Sequence, residues 1–488
     1  IDRFDANQSV LSDPYLFRAD YTVGDLIGKG YSKNQYFTNN AGDDWVVYVN
    51  QKDGTLDLDN TTIIGYRNGN TWYDSQGQEI VDPENMLGAN GGPILVDALE
   101  QSAISKVDPS AFEDYKPQWS IMPRVSFSFP VSDNSVFTAH YNIITSRPTN
   151  LQLSPIDYLF IEKFGTNANN IVNNPNLKPQ KSIDYEVSFT QKVSDKSAIG
   201  ITAYYSEKRD QIQAYRYSGS YPSTYYSYAN LDFGTVQGFS LSYDLRRIKN
   251  VSLRAGYTLQ FAKGTGSSAS SNLAIIASGQ PNLRTLNNLS FDQRHRISAN
   301  IDYRFDGGAD YNGPKSQYSK KGTNKVKEIR WLENTGITLL LSAASGLPYS
   351  RSSTPYSTYV TETASQLSGS INGSHKPWTF QCDIRIDKTF MFNLNSKDKE
   401  GKQRNSKNAY LLVYLDITNI FNFKNIISVY TYTGNPDDDG YLSATEYQQQ
   451  INSQIYVPSY INYYNMIMQN PYNYSTPARV SLGLQFGF

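Results

Sequence analysis

The chain has 488 residues, a formal net charge of −1 and 18% charged residues, so it offers neither a basic field for nucleic acid nor an acidic, solvating tail. A single cysteine, Cys382, excludes an internal disulfide framework, and three histidines (His140, His295, His375) leave little for a histidine-rich metal centre or a histidine-based catalytic site. The excess is aromatic: 39 Tyr and 22 Phe bring the aromatic share to 14%, with Tyr far above ordinary usage.

No run of about 18 apolar residues is present, so no transmembrane helix is expected. The mean hydropathy of −0.53 does not by itself mean a soluble protein, because a membrane β-barrel shows lipid only every second residue of each strand.

In chain order, residues 1–117 read as the end of a strand followed by a long loop, and 118–488 as the strands and loops of one sheet. Eleven alternating segments follow residue 118, near 124–131, 135–145, 182–193, 197–207, 236–247, 250–262, 296–305, 334–345, 379–390, 408–420 and 477–488. Each has the roughly 10 residues a tilted strand needs to cross a bilayer. In "RISANIDYRF", Ile297, Ala299, Ile301, Tyr303 and Phe305 share one face; Arg296, Ser298, Asn300, Asp302 and Arg304 share the other. "TFQCDIRIDKTF" repeats the pattern, with Phe380, Cys382, Ile384, Ile386 and Phe390 opposite Thr379, Gln381, Asp383, Arg385 and Asp387.

The connections alternate in length. Short turns at 132–134, 194–196 and 249–250 follow one set of strands; long polar excursions (6–117, 146–180, 208–235, 263–290, 346–375, 421–476) follow the other. Two linkers on the short side, 306–333 and 392–407, are Lys-rich, Gly-rich and polar and read as mobile loops. Short periplasmic turns opposite long extracellular loops are the habit of outer-membrane barrels, and the aromatic excess then supplies interfacial girdles. The fold class expected is therefore all-β, a transmembrane antiparallel β-barrel in the bacterial outer membrane, its loops extracellular and its C-terminus periplasmic. A soluble sandwich or propeller with a Tyr-rich surface fits less well, since its strands would average nearer 5 to 6 residues.

The inward charges Asp244, Arg246, Arg296, Asp302, Arg304, Asp383, Arg385 and Asp387 read as a salt-bridged lumen wall that contacts a plug, with a polar-ligand site as the alternative. The Tyr-rich stretches 215–228 and 456–474 are candidates for contact with outside partners, or for packing loop on loop. No nucleophile elbow, HExxH, P-loop or paired-cysteine motif occurs, so an enzyme is not expected. His295 reads as a polar interface residue at a strand start, and Cys382 as a small lipid-facing residue.

"NPDDDGYLSATE" follows the spacing of a calcium loop. Asn435, Asp437 and Asp439 take positions 1, 3 and 5, Gly440 the sharp turn, Tyr441 the backbone-carbonyl position and Ser443 position 9. Glu446 takes position 12. Calcium needs six to eight hard oxygens, which a tight glycine turn converges; a structural Ca2+ in the last extracellular loop is the expectation. Asn435 at position 1, Pro436 at position 2 and the strand-like "SVYTYTG" before the loop depart from the template, and an acidic surface turn is the alternative.

Several stretches are similar to the C-terminal barrel of TonB-dependent receptors, in particular the Oar-like and SusC-like branches: "IDRFDANQSVLSDPY" (1–15), "PRVSFSFPVSDNS" (123–135), "NPNLKPQKSIDYEVSFTQ" (174–191), "FGTVQGFSLSYDLRR" (233–247), "DQRHRISANIDYRF" (292–305), "SGLPYS" (345–350), "DITNIFNFKN" (416–425) and the terminal "ARVSLGLQFGF". Their order spans nearly the whole chain. The resemblance implies a barrel of about 22 strands with a plugged lumen, of which about twelve C-terminal strands would lie here, the plug and first strands being absent. It implies import of a bulky extracellular substrate powered through TonB, with outer-membrane lipid, lipopolysaccharide and the chain's own plug and other barrel half as partners. Phe488 resembles the terminal aromatic by which barrel-assembly machinery recognises its clients. A non-transporting barrel that scaffolds a surface protein complex is the alternative function; nucleic acid is not an expected partner.

Overall fold

Eleven strands form one continuous antiparallel sheet in strict chain order in the computed structural model. They are β1 (Arg124–Ser132), β2 (Ser135–Ser146), β3 (Gln180–Ser194), β4 (Ser197–Tyr217), β5 (Tyr225–Ile248), β6 (Val251–Gly264), β7 (His295–Phe305), β8 (Thr335–Ala344), β9 (Thr379–Leu394), β10 (Lys407–Thr418) and β11 (Arg479–Gly487). The short strand Asn287–Asn288 adds to the edge of β6 and makes the sheet twelve-stranded. The structure describes the whole chain except residues 17–19, 52–55, 97–110, 150–151, 154–156, 159, 162–165, 168–169, 281, 283, 320–325, 356–366 and 395–406. Both Lys-rich linkers thus fall in part outside the described residues. No described helix is long and apolar enough to cross a membrane.

The alternation read from the sequence becomes rows across the sheet. Phe129, Phe137, Phe189, Ile201, Leu241, Tyr257, Ile297, Ala343 and Phe380 are successive cross-strand neighbours along one such row. The outward faces stay open: Val480, Leu482, Leu484 and Phe486 of β11 are 62–71% exposed, the disposition of side chains whose solvent is lipid. His295 opens β7 and stacks between Tyr257 and Trp378, at 6.2 and 5.7 Å, with its Nδ1 2.9 Å from the Tyr257 hydroxyl. This is an aromatic belt at the loop end of the strands.

On the opposite face, glycines receive large neighbours. A Cβ on Gly483 would lie 2.1 Å from the Tyr414 ring, and one on Gly487 2.6 Å from Tyr410. The "GLQFG" of the last strand is therefore shaped to seat two tyrosines from β10, a pairing that covers glycine backbone with aromatic surface.

The sequence expectation fails at 208–235, which is not a loop. β4 and β5 are 21 and 24 residues long, about twice what a bilayer crossing uses, and their pairing runs on to Tyr217 opposite Tyr225. An irregularity at Lys208/Gln211, where Asp210 takes a left-handed φ of 54°, marks where the hairpin changes register. The extension is paired because "QIQAYRY" is itself rich in strand formers, while its polar content made it look like a loop.

Residues 1–117 carry more structure than a loop. Asp2–Phe4 pairs with Gln118–Ser120, and Ser9–Leu11 with Phe112–Asp114. Between them lies a lobe whose five short strands order as Glu79–Ile80, Thr71–Asp74, Ile63–Asn68, Val46–Val49 and Gly92–Pro93. A helix over Val23–Gly28 starts on a capping box: Thr22 Oγ1 accepts from Asp25 N at 3.2 Å, and the Asp25 carboxylate accepts from Thr22 N at 3.1 Å. One core of the lobe is internal, around Val23, Leu26, Val47 and Ile94. The other joins it to the hairpin tip, with Tyr15, Tyr48 and Trp72 against Tyr217 and Tyr225.

Arg67 lies at this junction with 1% exposure. It is ion-paired to Asp13, donates to the Tyr48 hydroxyl at 3.1 Å and to the Gly69 carbonyl at 2.9 Å, and lies 4.6 Å from the Tyr15 ring. Nearby, Asp20 Oδ2 is buried without a hydrogen-bond partner among the described residues. Burial, with the Asp13 charge adding to it, pushes the Asp20 carboxyl up to about 7 from its ordinary 3.8.

Two outcomes follow from this packing. Gly483→Val should lower the unfolding temperature of the barrel, by a cost of about 1–3 kcal/mol typical of overpacking, and Tyr414→Ala in the same chain should restore it; heat-modified mobility on gels reads both. For Asp20, the folded carboxyl keeps its proton to about pH 7 whereas the unfolded one ionises near its ordinary value. The contribution of Asp20 to lobe stability should therefore be fullest below about pH 4, decline by roughly 1.4 kcal/mol per pH unit toward pH 7 and level off above. Urea titrations followed by tryptophan fluorescence at several pH values should show this slope, and Asp20→Asn should remove it.

Candidate functional site

The inner face of the sheet is polar by register. One row runs Ser128, Thr138, Ser188, Thr202, Ser240, Thr258 and Arg296. The charges expected on this face are mostly paired. Arg304 on β7 holds Asp387 on β9 in a bidentate fork, 2.8 and 2.7 Å, although β8 lies between them. The residue of β8 on that line is Gly336, where a Cβ would come within 2.4–2.5 Å of the guanidinium; only glycine lets the arginine pass. Arg247 bridges Asp302 at 2.5 Å and Asp306 at 3.1 Å, and Arg254 pairs with Asp244 at 2.7 Å. Arg385 lies 4.1 Å from the Tyr414 ring and 3.7 Å from Asp416, while Asp383 accepts from Gln381 and from the Asn419 backbone. A hollow of about 790 Å3 near the short turns gathers Asp244, Arg246, Arg254 and Asp302 with Lys192 and Asp195. Asp383, Arg385 and Arg296 lie outside it. The charged wall has the wiring of a rigid inner surface in which most charges already answer one another.

At the loop end, the tyrosines of 215–228 serve mainly their own packing. Tyr217 and Tyr225 stack at 4.7 Å with planes 6° apart, Tyr15 meets Tyr217 edge-on at 5.1 Å, and the Tyr15 and Tyr215 hydroxyls are 2.7 Å apart. In 456–474 the set divides. Tyr464 is buried against Tyr441 at 4.9 Å, whereas Tyr456, Tyr463 and Tyr472 are 64–87% exposed. Tyr463 and Met466 share the open side of the helix Val457–Met468.

The calcium-spaced loop is built by tyrosines. Asp439 is buried; one carboxylate oxygen accepts from the Tyr464 hydroxyl and the other from Tyr441 N at 3.0 Å. Burial raises its carboxyl above the ordinary range, these two donors working against the rise. Asp437 accepts from the Tyr474 hydroxyl at 2.5 Å and Asn435 Oδ1 from Asp437 N at 2.9 Å. Ser443 donates to the Gly440 carbonyl at 3.0 Å, and Glu446 lies exposed in a 3-10 turn. Gly440 does take the left-handed turn, φ 83°, that the template asks of it. Yet the Tyr441 ring fills the local core, and no three carboxylate, histidine or cysteine side chains gather as a metal site among the described residues. A structural calcium ion held by Asn435, Asp437, Asp439, Tyr441, Ser443 and Glu446 is kept as a proposal. The side chains of Asn435, Asp437 and Asp439 accept from hydroxyl and backbone amide donors in this arrangement. The residues that organise these surfaces, Arg67, Gly336, Tyr464 and Tyr474, went unnoticed in the sequence because each acts on a partner distant along the chain.

Tyr464→Phe should leave a buried Asp439 oxygen without a donor, at a cost of about 1–3 kcal/mol, and speed proteolytic cleavage in 435–446. If the proposed ion binds, calcium should slow this cleavage in the unaltered protein and a chelator should reverse the effect; a rate indifferent to both would remove the metal site.

The chain spans about a third of the length of the solved structures it matches. These include the ferripyoverdine receptor of the outer membrane of Pseudomonas aeruginosa, with 11% identity, 66% of this chain and 31% of that chain covered and a TM-score of 0.37. The FrpB iron transporter from Neisseria meningitidis gives 11%, 63%, 36% and 0.36, and the ferric-catecholate import receptor Fiu from Escherichia coli 13%, 66%, 35% and 0.35. No curated protein sequence matches. The sequence profile of the family described as TonB dependent receptor-like, beta-barrel, matches residues 96–345, just over half of the chain, and the chain belongs to that family.

Proposed function

We propose that this chain is the C-terminal part of the barrel of an outer-membrane TonB-dependent receptor that captures a bulky extracellular substrate and imports it. Members of the family are transporters, not enzymes. The observation that carries the reading is the pairing of an eleven-strand, chain-ordered sheet with an open apolar face and a charge-paired inner face, within that family. By the resemblance of its motifs we place it with the Oar-like and SusC-like branches. The tight turns at 133–134, 195–196 and 249–250 would be periplasmic with the C-terminus, and the lobe, hairpin tip and 419–478 loop extracellular. Lipid and lipopolysaccharide would surround the apolar face; a plug would sit against the wall of Arg304, Asp387 and Asp302; TonB would supply energy through it.

A second reading, a non-transporting scaffold for surface proteins, is favoured by one observation: Tyr456, Tyr463, Met466 and Tyr472 stand open on the last loop. Two deletion strains separate them, one lacking this protein and one lacking TonB, grown on a panel of single nutrients. Transport predicts the same nutrient-specific growth defect in both. Normal growth of the first strain on every nutrient, with loss of a surface protein complex, would sink transport and leave the scaffold.

A further inference from the structure

On the apolar face, successive rows of the sheet change character toward the loop end. One row is Tyr141, Tyr185, Tyr205, Gln237 and Phe261, cross-strand neighbours from β2 to β6, with ring centroids 5.2 Å apart for Tyr141 and Tyr185 and 6.2 Å for Tyr185 and Tyr205. Two residues further along each strand the row reads Ile143, Ile183, Glu207, Thr235 and Lys263, and beyond it come Thr145, Lys181 and Arg209. Rings with an apolar body and a polar tip mark the level where hydrocarbon ends and headgroups begin. Lys181, Arg209 and Lys263 therefore stand at headgroup height.

Lys181 lies directly opposite Arg209 in the β3–β4 register, and like charges facing one another across a ladder are destabilising. Both carboxylate oxygens of Glu207 accept from Arg209 Nη2 at 2.9 Å, and Asp210 adds a second negative charge near that guanidinium. Beside Phe261, Arg294 is held from below: its guanidinium lies 4.7 Å from the ring, and its Nε donates at 2.9 Å to Asp292, which is fully buried and accepts from Ala262 N at 2.7 Å. Each arginine thus engages its carboxylate through one nitrogen and keeps its other donors open, while Lys181 and Lys263 carry no ion pair among the described residues. The rim holds two such pairs, an oriented guanidinium beside a free ammonium, one on β3 and β4 and the other at the end of β6. At about 4.8 Å per strand, Lys181 and Lys263 are roughly 14 Å apart.

The anion available to lipid-facing cations at this height is a phosphate, for which an arginine fork with a lysine beside it is suited. One phosphate reaches one of the two pairs; a headgroup with a phosphate at each end reaches both. We propose that this rim binds the diphosphorylated sugar headgroup of an outer-leaflet glycolipid, the lipid A part of lipopolysaccharide. One phosphate accepts from Lys181 and Arg209 and the other from Lys263 and Arg294, while the acyl chains lie on the apolar rows below. The inference rests on the reading of this end as extracellular, and it adds to the lipid around the barrel one site with named partners.

Native mass spectrometry of the full chain in a neutral detergent, titrated with diphosphoryl lipid A, monophosphoryl lipid A or phosphatidylglycerol, tests it without any uptake step. Diphosphoryl lipid A should give a one-to-one adduct. Loss of one phosphate, or replacement by phosphatidylglycerol, should weaken binding by about tenfold or more, the scale of one lost charge-assisted contact. Lys181→Gln should weaken diphosphoryl lipid A by a similar factor, and Lys181→Gln combined with Lys263→Gln should abolish the adduct at the concentration that saturates the unaltered protein. Lys192→Gln, at the short-turn end of β3, should change nothing, and heat-modified mobility on gels shows that each variant is folded. Equal affinity for all three lipids, no adduct with any of them, or affinities unmoved by Lys181→Gln and Lys263→Gln would overturn the proposal. Orientation is read separately by labelling Ile455→Cys, a fully exposed position on the last loop, with a membrane-impermeant maleimide on whole cells. Failure to label would sink the extracellular reading and the proposal with it, whereas labelling without lipid A binding would sink the rim alone.

Discussion

Inside a bilayer no water is present to satisfy a backbone N–H or C=O, so each must find its partner within the protein. That requirement governs the molecule. It forces the eleven strands into one antiparallel ladder in chain order, and it makes register the variable from which the other features follow. Once register is set, Phe129, Phe189, Leu241 and Phe380 fall on one face, and Ser128, Ser188, Ser240 and Arg296 on the other. A slip of one residue would exchange them. The glycines of β11 and Gly336 of β8 are part of the same constraint, since each must stand opposite the side chain whose bulk it admits.

The two faces solve opposite problems. Toward lipid, apolar side chains are left open and the belt at the loop end is built from flat rings, with His295 stacked between Tyr257 and Trp378. Toward the inside, charges are exposed to one another and not to lipid, and forks such as Arg304–Asp387 span a strand to reach their partner. An exposed ion pair contributes little by itself; a linked set that ties β5, β7 and β9 holds the wall in one arrangement. Beyond the membrane span, water is again available, and the chain returns to ordinary globular packing with buried tyrosines and the enclosed Arg67.

The strand positions were legible to within a few residues except at the extended tip of β4 and β5, since every one of the eleven alternating segments falls in a strand of the structure. Alternation with period two is a local signal, and lipid on one side enforces it without exception. Legibility ended at the crown. "QIQAYRY" and "YYSYAN" look like loop by polarity, yet they pair, because tyrosine is both a strand former and a hydrogen-bonding residue. Residues 20–96 look like a loop by their place between strands, yet they close around Val47, Leu26 and Ile94. At 435–446, spacing specifies where oxygens sit along the chain, not which protein donors reach them. Tyr464 and Tyr474 do so from about 25 to 37 residues away.

The sequence by itself determined the class of fold, the positions and faces of the strands and the resemblance to TonB-dependent receptors. All of these are written in short-range patterns that a two-sided environment reads directly. Only the tertiary structure decided that Arg67 would be enclosed between lobe and hairpin, that Arg304 would cross Gly336 to Asp387, and that the tyrosines would hold the acidic loop. Those outcomes depend on which distant segments meet, and a pattern of period two carries no information about the partner on the far side of a contact.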